Sequence, residues 1–224
     1  MAKPPNNREP RANSRMRNHG GATELKILDT SERLFAESGY SAVPLRRICK
    51  EADVNLASVN YYFGSKLGLL RAVLHRRAEP INTDRKARLE DCLKRLPSGD
   101  VNVEEVVRAF IEPTMRDEAG SSYRKIRGHV FTNPDPTIRA LVDDEYFEVA
   151  RMFLEIMKQV APSMDEKEFM WRIACVYGAM LFVPTDNPWL PKLLGSDHDL
   201  TSVEDAMKYA LPFLKAGMSA PLSE

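Results

Sequence analysis

Two sets of side chains in this sequence could do chemistry. The first is acidic: Glu104-Glu105, Asp143-Asp144-Glu145 and Asp165-Glu166. Paired carboxylates can hold a metal or serve as general acid and base. Helical metal bundles add Glu-x-x-His, however, and no Glu here has a His three residues on. Glycine-rich phosphate loops and the nucleophile elbow are also missing from the sequence. The cysteines, Cys49, Cys92 and Cys175, lie far apart without metal-ligand spacing. Cys49 and Cys175 fall on apolar helical stripes and read as reduced core residues. The acids therefore read as solvated faces and helix caps. No catalytic residue, metal ligand or cofactor is expected, and a helical-bundle enzyme is a rival reading only.

The second set lies in the run from Leu45 to Lys66. Leu45, Ile48 and Cys49 are spaced i, i+3, i+4, the apolar face of a short helix. Asp53-Val54-Asn55 breaks it, and Asn55 can cap a second helix opening at Leu56. Leu56, Val59 and Phe63 then point inward, which leaves Ala57, Ser58, Asn60, Tyr61 and Tyr62 facing out or sideways. That face is small at one end and rich in hydroxyls at the other. A helix that enters a DNA groove needs small residues for close approach and OH or NH donors for phosphates. Gly64 ends the helix, and Ser65 caps the next one ahead of Lys66. A cation in a first turn opposes the helix dipole, and a phosphate held by Lys66 and free backbone N–H groups would reverse that.

The elements that must position this run read as helices throughout. Thr23 caps a helix over about 24–38 that stops at Gly39, and Pro44 suits the first position of the next. A long amphipathic helix starts at Ser65, with a kink expected at Pro80. Further helices follow: 103–111 up to Pro113, 121–131, 137–160, 165–183 and one through Leu214, with 184–195 as loop. The sequence shows no strand alternation and no internal repeat. The fold class is all-α: a three-helix helix-turn-helix domain followed by a helical body, about nine helices in all. The expected division is a disordered basic arm over 1–20, a DNA-binding domain over 21–66 and a body over 67–224.

The net charge is zero, but residues 1–77 hold 14 Lys and Arg against 7 Asp and Glu, and the rest hold 18 against 25. A basic end on an acidic body fits nucleic-acid binding. No apolar stretch approaches the length of a membrane span. The start, Met1-Ala2-Lys3-Pro4-Pro5, has no apolar signal region, so a cytoplasmic location is expected.

Residues 24–76 resemble the DNA-binding domain of the tetracycline-repressor (TetR) family. The resemblance is carried by Ile27-Leu28, Leu34 through Tyr40, Leu45-Arg46-Arg47-Ile48, Ala52-Asp53-Val54, Tyr61 through Lys66 and Leu69-Leu70. It implies a homodimeric regulator, a repressor released from a near-palindromic operator in double-stranded DNA by a small apolar or acyl effector. An architectural DNA-binding protein without effector is the alternative. Carried over position by position, Asn55, Ser58, Asn60 and Tyr61 meet bases and phosphates, Tyr62 and Lys66 clamp the backbone, and Arg46 lies near phosphate. Val43 and Pro44 stand where the family has hydroxyl residues, and Arg47 where it often has an acid. The stretch Val54 through Lys66, with Arg76-Arg77, Pro80-Ile81-Asn82 and Arg85, is similar to the subgroup containing fatty-acid-responsive regulators of the PsrA type. That adds fatty acids and acyl-CoA to the effector candidates. For the effector site the resemblance points to Phe110, Met115, Phe131, Met152, Phe153 and Trp171, with Arg127 or His129 as polar anchors. For a four-helix dimer interface it points to helices 165–183 and 201–216, with Phe169, Ile173, Val176, Tyr177, Met180, Met207 and Leu211.

Overall fold

A computed structural model describes residues 13–116, 120–182, 189–197 and 202–222. The described residues form helices and no strand. Helix α1, Asn13–Ser38, ends where Gly39 takes φ +74° and returns its N–H to Phe35 O. It starts earlier than the sequence suggested, so Thr23 is inside it and the backbone of 13–20, assigned above to a basic arm, is helical. Nothing between Pro10 and Gly20 stops a helix. Residues 1–12 of that arm lie outside the described residues.

Helix α2, Leu45–Glu51, has Pro44 as its N-cap. Helix α3, Leu56–Phe63, is capped by Asn55, whose side chain accepts from Ser58 N at 2.8 Å. Helix α4, Lys66–Arg95, is capped by Ser65 and passes through Pro80 without ending. The missing N–H costs one helical bond, which the packing of so long a helix offsets. Helix α5, Val103–Met115, opens on an Asn102–Glu105 capping box and runs past Pro113, beyond the expected stop. Helices α6, Gly120–Phe131, α7, Pro136–Val160, and α8, Glu166–Phe182, follow. Helix α9, Trp189–Leu194, lies in the stretch read as loop; its Pro191 falls in the first turn, where proline is tolerated. The last helix, α10, spans 203–219 with a π-turn at Ala206–Ala210.

Two buried clusters hold these helices together. The first joins α1 to α3 and the first half of α4, around Phe35, Ile48, Val59 and Leu70, and also takes in Tyr123 and Ile126 of α6 and Leu141 of α7. The second joins the far end of α4 to α5, α7, α8 and α10, around Leu89, Phe110, Phe153 and Leu214. Helix α4 therefore belongs to both. Ion pairs lock it to α1: Arg76 and Arg77 close on the buried carboxylate of Glu32, and Arg76 also reaches Asp29 at 2.7 Å.

Candidate nucleic-acid interface and interior cavity

The α2–α3 turn depends on Asp53, the one non-glycine among the described residues with positive φ, at +53°. Asp tolerates that region better than most side chains. Val54 N then returns to Cys49 O at 3.0 Å, and α3 can start at Leu56. Val59 is fully buried and Phe63 half-buried, so this face of α3 fixes it on the head. Leu56, expected inside, is half exposed at the helix start. Ala57, Asn60 and Tyr61 are exposed, and Tyr61 stands edge-on against half-buried Tyr62 with ring centroids 5.0 Å apart.

Several groups read above as DNA contacts are also engaged internally. Asn55 Oδ1 accepts from the Ser58 hydroxyl at 3.0 Å, which leaves the Asn55 amide N–H groups and the Ser58 lone pairs facing out. Lys66 Nζ donates to Tyr40 O at 2.6 Å and sits 4.2 Å from the centre of the Tyr40 ring. Burial pushes its pKa down. Lys66 thus ties the start of α4 to the α1–α2 connection and keeps two N–H donors. Arg46 is exposed. Arg47 is not free charge: it pairs with Glu51 at 2.9 Å, and Glu51 also pairs with Arg33 of α1. Those two guanidinium groups hold the Glu51 carboxyl below its usual range. Val43 is fully buried, consistent with its lost hydroxyl.

One residue of this site escaped the sequence reading. A Cβ on Gly68 would sit 2.1 Å from Phe63 O. Only glycine lets the first turn of α4 approach the end of α3 this closely.

The body holds a cavity of about 470 Å³, lined by Arg127 and Phe131 of α6, Val142, Asp143, Tyr146, Phe147 and Ala150 of α7, and Tyr177, Met180 and Leu181 of α8. Phe131 is half exposed and Phe147 largely exposed, so the cavity opens to solvent on their side. Arg127 is 2% exposed; its Nη2 donates to Met180 O at 3.1 Å, and among the described residues its Nε and Nη1 have no hydrogen-bond partner. Tyr146 hydrogen-bonds the buried Tyr123. Burial raises the pKa of Tyr123 and pushes Tyr177 up to about 12. Beside them Arg85, fully buried, donates to Phe110 O at 2.8 Å, Asn82 Oδ1 at 2.7 Å and Thr114 Oγ1. The opposite face of the same α7 segment grips α4. Asn82 Nδ2 donates to Glu145 O at 2.7 Å, His75 Nδ1 meets Glu145 Oε2 at 3.1 Å, and Lys86 pairs with Glu148 at 2.6 Å.

Two family models match the chain. The family model described as bacterial regulatory proteins, tetR family, matches residues 27–73, and the tetracyclin repressor-like C-terminal domain matches 104–217. The chain belongs to the TetR family. A probable transcriptional regulator, YttP of Bacillus subtilis (strain 168), is 43% identical over 49 residues, 22% of this chain and 24% of that protein. The repressor KstR of Rhodococcus jostii (strain RHA1) is 27% identical over 141 residues, 63% of this chain and 62% of that protein. The matched segments thus span less than two thirds of either relative. The crystal structure of a transcriptional regulator from Aquifex aeolicus VF5 superposes with TM-score 0.57 at 17% identity, covering 86% of this chain and 99% of that one. That likeness speaks for the fold.

Within this TetR frame the structure redistributes the expected site residues. Of the effector candidates, Arg127 and Phe131 line the cavity. Phe110 and Phe153 are fully buried and stacked at 4.2 Å behind Tyr177, as core rather than wall. Met115 is buried near the end of α5, and Met152 is half-buried against the body's core. His129 is exposed beside Gly39, and Trp171 is 68% exposed on α8. On α7 the cavity takes 142, 146, 147 and 150, one helical face; Phe153 continues that face further along, where Phe110 and Tyr177 cover it, and Met152 is turned to the side. The interface candidates shift likewise. Phe169, Ile173, Val176, Met180 and Leu211 are buried in the protomer's own core, and Tyr177 and Met207 are half-buried there. The outward stripe of α8 carries Met170, Trp171, Ala174, Cys175 and Phe182, so Cys175 is exposed, not core. Helix α8 is apolar on two faces, and periodicity alone does not say which one turns inward.

Proposed function

We propose that this TetR-family chain is a homodimeric repressor. Its α3 helices read the two half-sites of a near-palindromic operator in double-stranded DNA, and a small apolar effector in the body's cavity releases it. One observation carries the coupling. The α7 segment that walls the cavity also holds α4 through Asn82, His75 and Lys86, and α4 begins at Lys66, against the end of α3. A ligand that shifts α7 therefore moves the base of the recognition helix. A dimer must match half-sites about one helical turn apart, so a small change of separation loses contacts.

In this reading Asn55, Ser58, Asn60 and Tyr61 face base edges and phosphates, and Arg46, Tyr62 and Lys66 take backbone phosphates. The apolar outward stripe of α8, with Tyr209 and Phe213 of α10, forms the dimer seam; those two rings are 63% and 75% exposed in the single chain. Fatty acids and acyl-CoA are the effectors that the subgroup resemblance favours. The apolar cavity counts against an architectural protein without effector. No described helix is long and apolar enough to cross a membrane. Selection of duplexes from a random library tests the reading: it should return a near-palindrome bound by a dimer, and enrichment of no sequence overturns it.

A further inference from the structure

The Arg127 guanidinium is 2% exposed in the cavity wall. Among the described residues no carboxylate lies within ion-pair distance of it, and Nε and Nη1 have no hydrogen-bond partner. A buried charge without a counter-ion is costly, and a buried N–H without an acceptor adds to that cost. Arg85, buried nearby, has only neutral acceptors in Phe110 O, Asn82 and Thr114. Burial and the charge of Arg127 together push its pKa down. The phenols of Tyr123 and Tyr177 beside the pair stay neutral, since burial raises the pKa of both. Among the described residues the inner end of the cavity is therefore positive and uncompensated, while its remaining walls are apolar apart from exposed Asp143 and the phenols of Tyr146 and Tyr177.

We propose that the effector is a free carboxylic acid with an apolar body, seated with its carboxylate on Arg127 and its body along Phe131, Tyr146 and Phe147. This rests on the reading above that the cavity is the effector site. The orientation follows from exposure. Arg127 is at the closed side, and Phe131 and Phe147 are at the open side, so the carboxylate enters first. The carboxylate supplies the acceptor that Nε and Nη1 lack and neutralises the guanidinium. A CoA thioester is disfavoured. Its apolar tail would meet the unpaired N–H groups, and its phosphates would remain outside with exposed Asp143, an acid in the same wall.

The test is calorimetric titration of the purified full chain with decanoate, tetradecanoate and a naphthoate, each against its uncharged methyl ester and its CoA thioester. At least one acid should bind, with its ester weaker by about tenfold or more, the scale of one charge-assisted hydrogen bond. Arg127→Met should abolish the preference for acid over ester while ester binding remains. Equal binding of acid and ester to the unsubstituted protein overturns the proposal without recourse to any variant. So does binding of the thioesters alone, or of no acid. Operator binding by the unliganded protein is measured beside it. Its loss would sink the repressor reading, whereas intact operator binding with no acid preference sinks only this one.

Discussion

Lys66→Met removes the Nζ group and keeps most of the chain length. In the structure Nζ donates to Tyr40 O at 2.6 Å and lies 4.2 Å from the Tyr40 ring centre, half-buried. A hydrogen bond to a charged group contributes about 1.5–3 kcal/mol and an exposed cation–π contact about 0.5–1. Partial exposure argues for the low end, so unfolding should become easier by about 1–2 kcal/mol. If the two remaining N–H donors take a phosphate, operator affinity should also fall for all sequences alike, and the slope of log affinity against log salt should drop by about one unit. Urea denaturation reads the first effect, and fluorescence anisotropy on a labelled duplex over a salt series reads the second. An unchanged urea midpoint would refute the tie to Tyr40. A destabilised variant with the unsubstituted protein's salt slope would refute the phosphate contact and leave Lys66 as a brace.

The other expectations concern separate parts of the molecule. Gly68→Ala forces a methyl to 2.1 Å from Phe63 O, so α3 must shift; a loss of about 1–3 kcal/mol in urea unfolding and a fall in operator affinity are expected, and full affinity would contradict the close packing. Met170→Glu with Trp171→Glu places charge on the outward stripe of α8 and should yield monomers in sedimentation, while an unchanged dimer would move the seam elsewhere. His75 faces Glu145, which raises its pKa, so the pair stabilises fully below the unfolded value of about 6.5 and loses its effect as pH rises through the folded value. The urea midpoint of the unsubstituted protein should therefore exceed that of His75→Gln most at acid pH, the gap closing toward alkaline pH; a gap independent of pH would contradict the pairing.

The recognition end was legible because its signals are local. Asn55, Gly64 and Ser65 mark helix ends by their own side chains or backbone freedom, and Val59 and Phe63 fix the inward face. The cavity was less legible because its walls are chosen between helices. Tyr146 and Phe147 read as two more aromatics on an amphipathic helix, and which face of α7 borders a void depends on how α6 and α8 meet it. The burial of Arg85 was missed because arginine ordinarily signals surface, and its acceptors come from α4 and α5. The exchange of inner and outer stripes on α8 has the same origin. Phe169, Ile173 and Val176 on one side are no more apolar in pattern than Met170, Trp171 and Cys175 on the other. Pro113 misled in the opposite sense, since a strong local breaker yielded to packing along α5.

The central claim is that occupancy of the cavity and the hold on DNA are coupled through α7 and α4. Its most direct measurement is anisotropy of the dimer on its selected operator, titrated with a carboxylic acid shown by calorimetry to fill the cavity. The account predicts release, with operator affinity falling at least about tenfold at saturation, within the usual range of coupling between sites. Unchanged operator affinity with the cavity saturated would contradict it.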